Sequence, residues 1–440
     1  MVILRSPVAA PGNHAITGEN KHHFVVLEET CLIDSNKQER KAFMKRRDFM
    51  KVAVGASAMA LCPFTGKAGA SQISVKARQL TPGSQVKVFL AGVSRGAPEQ
   101  GIKLAVRNAA EVATDFSWLS KGDAVFIKPV NNSGNPYPAT TSPAAIATMI
   151  GILKEKGARR VIVGDMSGVQ YLRFSPTSLS GSSRALMASS GLAKAVQASG
   201  AEMHCFEESG WNAFYEDFPA AGSNWKRGLM MPNILKEVQH IVLMPRCSRH
   251  ILAGSSLGLK AAVGYWRHDT RLEYHGDAAT LQEKTAEGNT VGTLIAKQRL
   301  VISAADKLLT TNGPDKGYVF EPDNGLIIAS VSVVAHDMVS LAWLLENRRI
   351  IPASERDGFI DTSKVVPKVA NHMVTSWLGG WGPALASETM TKNSINTIWD
   401  DRVLTRSYDL FGGVPAILLE SANSALPDAL KNRLGRMTAF

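Results

Sequence analysis

The sequence predicts an α/β fold: a mostly parallel, doubly wound sheet with a helical or irregular insertion and an irregular C-terminal region. Three observations predict this fold. Short apolar runs alternate with helical patterns, the runs are continuously apolar, and polar residues collect where the runs end. Continuous apolar runs are typical of parallel strands that helices cover on both faces. The 440 residues, 45% of them hydrophobic, allow a large core.

Strands and helices are predicted to alternate from residue 85 onward. The predicted strands are 85–93, 123–130, 159–165, 240–245, 299–306 and 325–332, and the predicted helices are 97–113, 142–157 and 335–346. In the second helix, Ser142 is a suitable N-cap, Pro143 suits the first helical position and Gly157 suits the C-terminal end.

The chain is predicted to divide into four segments. They are an over-extended start at 1–43, a signal peptide at 44–70, the α/β domain at 71–346 and a C-terminal extension packed on the core at 347–440. Within the α/β domain, the Ser- and Gly-rich stretch 166–235 is predicted to be an insertion, either a lid or an excursion domain.

Residues 44–70 resemble a twin-arginine export signal. Arg46 and Arg47 precede a short apolar stretch of small residues, and the Ala68-Gly69-Ala70 tripeptide has the A-x-A cleavage pattern. The stretch is too short to be a convincing membrane span. The resemblance implies the twin-arginine export machinery as a partner, a periplasmic or otherwise exported location, and no stable membrane span after cleavage. The alternative is a basic segment that leads into a buried helix.

Charge and cysteine content exclude several classes of protein. The net charge is +11, but no basic run with interleaved aromatic residues follows residue 70, so the charge favours attraction to anions and predicts no nucleic-acid partner. Only Cys205 and Cys247 follow the signal, without a C-x-x-C pair, so there is no iron–sulphur motif. One disulfide between these two cysteines stays open. No G-x-S-x-G, P-loop or G-x-G-x-x-G motif supports a serine hydrolase or a nucleotide kinase.

Polar residues end several of the predicted strands. Because the carboxyl ends of parallel strands meet at one edge of a sheet, ligands usually bind there. The predicted ligand-binding residues are Lys128, Asn131, Thr140, Thr141, Asp165 and Asp306.

The stretch 125–143 carries the case for an anion. Lys128 would supply a cation, Asn131 would supply neutral donors and acceptors, and Thr140 and Thr141 would lie at a helix N-terminus, where free N–H groups favour an anion. A phosphate or a carboxylate fits this arrangement, and a solvated loop with an ordinary capping serine is the alternative. Asp165 could bind a metal or a ribose hydroxyl, or could cap the next turn.

The stretch 264–277 combines imidazole and carboxylate groups: His268, Asp269, Glu273 and His275. Such groups can bind a metal. Their spacing matches no standard zinc motif, so a polar segment on the surface is the favoured interpretation. The cofactor therefore stays unknown, with a divalent metal as an option.

Several motifs resemble a family named only as domain of unknown function 362, over residues 85–346. The first motif is a strand ending in Lys128-Pro129, then Thr140-Thr141-Ser142-Pro143 at a helix start, then a strand ending in Gly164-Asp165. The second motif is matched by Pro245, His250, Gly254 and Lys260, whereas Arg246, Ser248 and Ala261 replace two lysines and an asparagine. The downstream matches are His275, Asp306, Gly313-Pro314 and Asp337. Some relatives carry a ferredoxin-like iron–sulphur module, and the cysteine count predicts none in this chain.

The first functional hypothesis is an exported soluble protein that binds a small anionic ligand and acts on it. Lys128 and Lys260 would hold the anion, His250 or His275 would be the general acid or base, and the two aspartates would orient them or hold a divalent metal. The predicted catalytic residues are thus His250, Lys260 and His275. The alternative is a non-catalytic periplasmic binding or accessory protein for a redox partner, so whether the chain is an enzyme stays open.

Overall fold

The computed structural model describes residues 81–356, 365–391 and 394–440. Contacts divide the chain into two compact units, 1–72 and 73–440, and the described residues all belong to the second unit. The predicted over-extended start and the predicted signal peptide lie outside the described residues.

The strands and helices of the described residues follow in chain order. The strands are β1 (Pro82–Ser94), β2 (Ala124–Pro129), β3 (Arg160–Asp165), β4 (Arg173–Phe174), β5 (Leu179–Ser180), β6 (Glu202–Cys205), β7 (Phe214–Asp217), β8 (Leu229–Pro232), β9 (His240–Met244), β10 (Ser248–His250), β11 (Gly254–Ser256), β12 (Gln298–Ala305), β13 (Leu308–Leu309), β14 (Val319–Phe320), β15 (Asn324–Ser330) and β16 (Val414–Ser421). The α-helices are α1 (Glu99–Ala113), α2 (Pro143–Glu155), α3 (Ser183–Ser190), α4 (Leu192–Ala198), α5 (Ile234–Glu237), α6 (Gly258–Ala261), α7 (His268–Gly276), α8 (Leu281–Glu287), α9 (Gly292–Lys297), α10 (Val333–Arg348), α11 (Ala353–Arg356), α12 (Val365–Gly379), α13 (Trp381–Ala386), α14 (Arg402–Leu410) and α15 (Asp428–Thr438). Short 3₁₀ helices cover Phe206–Ser209, Ala262–Tyr265, Ala278–Thr280 and Ile398–Asp400.

A central eight-stranded sheet has the order β16-β1-β15-β12-β9-β2-β3-β6. Neighbouring strands are parallel except around β15, which runs antiparallel to both β1 and β12. The predicted class, α/β with a mostly parallel sheet, is confirmed.

The sheet is covered on both faces, and β2 shows why its sequence is continuously apolar. Val125 and Ile127 pack in one buried cluster with Ile146 and Met149 of α2. Phe126 points to the opposite face and packs in another cluster with aromatic residues such as Tyr265. Because successive side chains of a strand alternate between faces, both sets must be apolar when both faces are buried.

The sheet register brings three strand ends together. Ile127 of β2 pairs with Val163 of β3 and with Val242 of β9. The residues that follow these pairs therefore lie side by side at the carboxyl end of the sheet, which places Lys128 beside Asp165 at the end of β3. The helix that follows β2 starts as predicted, with the Ser142 hydroxyl accepting from the Ala145 N–H at 3.4 Å.

Two predicted regions differ from the structure. The stretch 166–235, predicted to be an insertion, contributes β6, which pairs in parallel with β3 and forms one edge of the central sheet. An edge strand is only partly covered, so β6 can carry polar residues such as Glu202 and His204. Because β6 is not a continuous apolar run, the sequence pattern did not indicate a strand there. The prediction of an irregular C-terminal region is wrong: β16 pairs in parallel with β1 at the other edge. Within the described residues, no helix is long and apolar enough to cross a bilayer.

Candidate functional site

Lys128 and Asp165 form a buried ion pair at the carboxyl end of the sheet. The Lys128 Nζ lies 2.8 Å from the Asp165 Oδ1, and both side chains are almost fully buried. Lys128 also donates to the Pro129 carbonyl at 2.8 Å and lies 5.1 Å from the centre of the Tyr265 ring. Burial lowers the pKa of Lys128, and the charge of Asp165 opposes that shift. The predicted ligand cation is therefore already held by a carboxylate.

The Asp165 carboxylate has its oxygens engaged as well. Its Oδ2 accepts from the Asn131 N–H at 2.7 Å, and its Oδ1 accepts from the Met166 N–H at 2.8 Å. Gly264 passes directly over this ion pair, and a Cβ at that position would clash with both charged groups. The pair thus anchors the segment before α7 to the sheet.

The remaining polar residues of the β2–α2 loop hold the loop itself. The Asn131 Nδ2 donates to the Ser167 hydroxyl at 3.0 Å. The Thr140 hydroxyl donates to the Asn135 carbonyl at 3.1 Å, and the Thr141 hydroxyl donates to the Met244 carbonyl at 2.6 Å. All three residues predicted to bind a ligand are buried, and these bonds fix the end of β2 against the end of β9.

Lys260 differs from Lys128 in its partners. Within the described residues, its Nζ forms no ion pair, and it lies over the Tyr274 ring, 5.8 Å from the centre. Burial lowers the pKa of Lys260 to about 7, and the charges of Arg246, Arg271 and Lys128 contribute to that shift. These four side chains, which we call the cation cluster, therefore share one neighbourhood.

Two guanidinium groups of the cation cluster are held by neutral partners. Arg271 is buried on α7 and donates to the backbone carbonyls of Trp266, Ser167 and Met166 at 2.7–2.9 Å. Arg246 follows β9 in the chain and is buried. It donates to the Pro314 carbonyl at 2.9 Å and also contacts the Ala139 carbonyl and the Ser256 hydroxyl. Burial lowers the pKa of each group to about 10. Carbonyls orient a guanidinium without neutralising it. Carboxylates beyond ion-pair distance oppose the lowered pKa of each group, Asp315 and Asp165 for Arg246 and Asp165 and Glu207 for Arg271.

His250 is the last residue of β10 and pairs with Gly254 of β11, beside the cation cluster. Its Nδ1 accepts from the backbone N–H groups of Leu252 and Ala253 at 3.1 and 3.2 Å. Because Nδ1 accepts two N–H groups, the neutral ring carries its proton on Nε2. Burial and the charge of Lys260 lower its pKa well below the ordinary value. His250 can thus offer an Nε2–H donor to a ligand.

His275 lies on α7 and contacts the C-terminal part of the chain. Its Nδ1 is 2.8 Å from the Oδ1 of Asn371 on α12. Burial lowers the pKa of His275 to about 3; the Asn371 hydrogen bond opposes the shift, and the charges of Lys260 and Arg271 add to it. The imidazole is therefore neutral at physiological pH and lies near the cation cluster.

The favoured interpretation of the stretch 264–277 as a surface polar segment is wrong. Residues 268–276 form α7, and His268 and His275 are buried. Sequence polarity misled here because α7 buries charge as well as apolar surface. The four candidate metal-binding side chains also diverge: the His268 Nδ1 accepts from the Phe174 N–H, Asp269 binds Arg267, and Glu273 accepts from the Lys226 N–H.

Two aspartates that the sequence singled out lie in different settings. Asp306 follows β12, and its Oδ1 accepts from the Tyr137 hydroxyl at 2.7 Å. Burial raises its pKa. Asp337 on α10 accepts the N–H groups of Gly258 and Leu259 at 2.8 and 2.7 Å. It thereby caps α6, the short helix that carries Lys260.

Metal and disulfide chemistry find little support in this part of the chain. Among the described residues, no group of three or more His, Cys, Asp or Glu side chains is suited to hold a metal ion. Cys205 and Cys247 are both buried free thiols, so the disulfide left open by the sequence is not formed.

Sequence reasoning missed two side chains of the candidate site, Arg271 and Asn371. Arg271 stood inside a segment that was expected to be exposed, and its partners are backbone carbonyls that a sequence does not mark. Asn371 stood in the region that was expected to be irregular. Only the contact of α12 with α7 could have identified it.

Comparisons with known proteins give one family and several similar structures. The model of a family described as Domain of unknown function (DUF362) matches residues 125–342. A comparison with curated proteins found no match.

Two solved structures illustrate the similarity at the level of the backbone. A protein from Thermotoga maritima is 14% identical, with a TM-score of 0.32; the match covers 54% of this chain and 56% of that one. The lactate racemase apoprotein from Thermoanaerobacterium thermosaccharolyticum is 10% identical, with a TM-score of 0.37 and coverage of 80% and 86%.

Proposed function

We propose, from the premise that this chain belongs through residues 125–342 to the family described as Domain of unknown function (DUF362), that it binds a small phosphate or carboxylate anion at the cation cluster. Lys260 is the contacting cation, the His250 Nε2–H is a second donor, and His275 is the acid–base group. The anion is the substrate of a proton-transfer reaction.

The observation that carries this proposal is positive charge that no carboxylate of the described residues pairs with directly: Arg271 is buried, Lys260 is half-buried, and Asp165 and Glu207 act on Arg271 only from beyond ion-pair distance. Lys128 is paired with Asp165, but within the described residues neither Arg271 nor Lys260 has a carboxylate at ion-pair distance. Charges taken out of water without a counter-ion cost several kcal/mol each, so such a site favours an anion that supplies the missing charge. An anion would also restore the lowered pKa of Lys260 toward its ordinary value.

Each group of the site has a separate role in this proposal. Arg246 and Arg271 have spent most of their donors on carbonyls and hydroxyls, so they act through their field rather than by direct contact. Lys260 and His250 supply the direct hydrogen bonds. In the unliganded chain, the charges of Lys260 and Arg271 help to keep His275 neutral. A bound anion offsets these charges, so the neutral ring can then accept a proton from the bound molecule.

The first experiment titrates the full chain with inorganic phosphate by calorimetry. Lys260→Met removes the ammonium group and keeps the length of the side chain, so phosphate affinity should fall about tenfold or more, which is the range for one charged hydrogen bond. Lys194→Met is the matched control, because Lys194 is an exposed lysine on α4. Equal affinities for wild type and Lys260→Met would contradict the proposal.

The same variants separate an enzyme from a binding protein. If phosphate and carboxylate compounds bind at Lys260 but none is converted, the non-catalytic alternative is favoured. Turnover that is lost in His275→Gln, with binding retained, supports acid–base chemistry at His275.

We also propose that the chain is exported by the twin-arginine route. The support is the signal pattern around Arg46 and Arg47 with the A-x-A tripeptide after it. Replacing both arginines with lysine should leave an unprocessed chain in the cytoplasm, measured by cell fractionation and immunoblotting. Arg78→Lys, which lies after the A-x-A tripeptide, is the control and should leave export intact. Periplasmic, processed protein from the double variant would contradict this proposal.

A further inference from the structure

The side chain of Asn371 makes two hydrogen bonds to one residue, His275. Its Oδ1 lies 2.8 Å from the His275 Nδ1, and its Nδ2 donates to the His275 carbonyl oxygen at 2.9 Å. Asn371 is 1% exposed and His275 is 8% exposed, so water does not compete strongly for either bond. Asn371 lies on α12, outside residues 125–342.

The second bond determines the chemistry of the first. A carbonyl oxygen can only accept, so the amide group that faces the His275 carbonyl must be the NH₂ of Asn371. The amide oxygen then faces Nδ1, and since this oxygen also can only accept, Nδ1 must carry a proton. In a neutral imidazole, a proton on Nδ1 leaves Nε2 with a bare lone pair.

The two ring nitrogens differ in their contacts. Within the part of the chain that the structure describes, Nδ1 bonds to Asn371, whereas no hydrogen bond to Nε2 is present. The charged groups that act on the ring are Lys260 of the neighbouring α6 and Arg271 on the same helix, α7. The lone pair is therefore set among cations.

We infer that Asn371 is a positioning residue: it holds His275 in the Nδ1–H tautomer, so that Nε2 is an acceptor for a proton that the bound anion brings. This rests on the proposed function in assigning the anion site to His275. It adds that the preferred ligand carries a hydroxyl or protonated oxygen beside its negative charge. It also adds that the C-terminal segment completes the site.

The tautomer can be observed directly in the unliganded full chain. Histidine labelled with ¹⁵N, recorded by long-range ¹H–¹⁵N correlation at neutral pH, distinguishes a protonated ring nitrogen from a bare one by its chemical shift. The His275→Gln spectrum assigns the His275 signal. We expect a protonated Nδ1 and a bare Nε2 in wild type; a protonated Nε2 in wild type would overturn the inference without any variant.

Two substitutions then test whether Asn371 is the cause. Asn371→Leu removes the acceptor, so His275 should shift toward the Nε2–H tautomer and the preference for phosphate, which carries a P–OH group near neutral pH, over sulfate should be reduced. Asn371→Asp keeps an oxygen that accepts from Nδ1 and should keep the proton on that nitrogen, although it loses the donor to the His275 carbonyl. Thr375→Val is the control, because its buried hydroxyl lies one turn along α12 and donates to the Asn371 carbonyl.

The outcomes separate this inference from the proposed function. An unchanged tautomer in a folded Asn371→Leu chain overturns the role of Asn371, whatever the chain binds. The expected tautomers together with no phosphate binding to wild type overturn the proposed function and leave the role of Asn371 supported.

Discussion

Lys128 and Lys260 are both lysines that follow the predicted pattern for anion binding, yet their partners give them different roles. Lys128 faces Asp165 because β2 and β3 are neighbours in register, and that ion pair is buried. Lys260 has cations around it and no such carboxylate among the described residues. The sequence identifies both residues as candidates. Only the pairing of strands, which depends on contacts far apart in the chain, separates the structural lysine from the available one.

The lowered pKa of Lys260 predicts a pH-dependent affinity for sulfate. Sulfate keeps both charges between pH 6 and pH 9, so a change in binding over that range reports the protein. Since only the ammonium form attracts the anion and the pKa of the free chain lies at about 7, affinity should be highest below pH 7. It should fall by up to about tenfold per pH unit between that pKa and the higher pKa of the complex. Calorimetric titrations at several pH values measure this.

The control for this prediction is Lys260→Met, whose weaker sulfate binding should vary much less over the same range. A wild-type affinity that is constant from pH 6 to pH 9 would contradict the assignment of Lys260 as the contacting cation. In the unliganded chain, burial lowers the pKa of both His250 and His275, so the part of the pH dependence that is lost in Lys260→Met is assigned to Lys260.

Among the secondary-structure elements, those with a clear helix cap or a continuous apolar run were predicted from the sequence, and those without such a signal were missed. Helix α2 was expected at 142–157 from its Ser142 cap and its Pro143, and it occupies Pro143–Glu155. The interior strands β2, β3 and β9 were expected because both faces are apolar. The edge strand β6 has a mixed composition, so no apolar run marks it. Helix α7 buries Arg271, which donates to the carbonyls of Ser167 and Met166, and these distant partners cannot be recognised from the local sequence.

Helix α6 is so short that its cap should determine its position. It has four residues, and two of its N–H groups bind the carboxylate of Asp337 at 2.8 and 2.7 Å. Asp337→Asn keeps the shape but replaces one acceptor oxygen with a donor that faces another donor. We expect a loss of about 2–4 kcal/mol in the free energy of unfolding, given about 1.5–3 kcal/mol for a hydrogen bond to a charged group. Urea denaturation measures this loss.

A matched substitution controls for the loss of charge at a helix start. Asp428 lies in the first turn of α15, its side chain is 85% exposed, and its ion pair with Lys431 spans 3.6 Å. Asp428→Asn should change stability by less than about 0.5 kcal/mol, as exposed pairs usually do. Phosphate affinity should also fall in Asp337→Asn, because α6 carries Lys260. Equal stability losses in the two variants would contradict the specific role of Asp337.

For the whole molecule, the central sheet depends on both ends of the described chain. β1 pairs with β15 on one side and with β16, from the C-terminal region, on the other. Residues Val88 and Leu90 of β1 share a buried cluster with Leu404 of α14 and Leu430 of α15. The family match, which ends at residue 342, therefore stops before the sheet and its core are complete.

This dependence predicts that a fragment of residues 73–346 will not fold, although it contains the whole family match. This fragment lacks residues 347–440 and therefore lacks β16, so the edge of β1 that pairs with β16 would be exposed. It would also delete the four buried side chains Leu404, Tyr408, Leu430 and Leu434. At about 1.5–3 kcal/mol for each large apolar side chain, these four alone approach the 5–15 kcal/mol that typically separates folded from unfolded domains. A fragment of residues 73–440 is the control and should unfold cooperatively in circular dichroism melts. A cooperative transition in the 73–346 fragment would contradict the prediction, because it would show that this fragment folds without the C-terminal region.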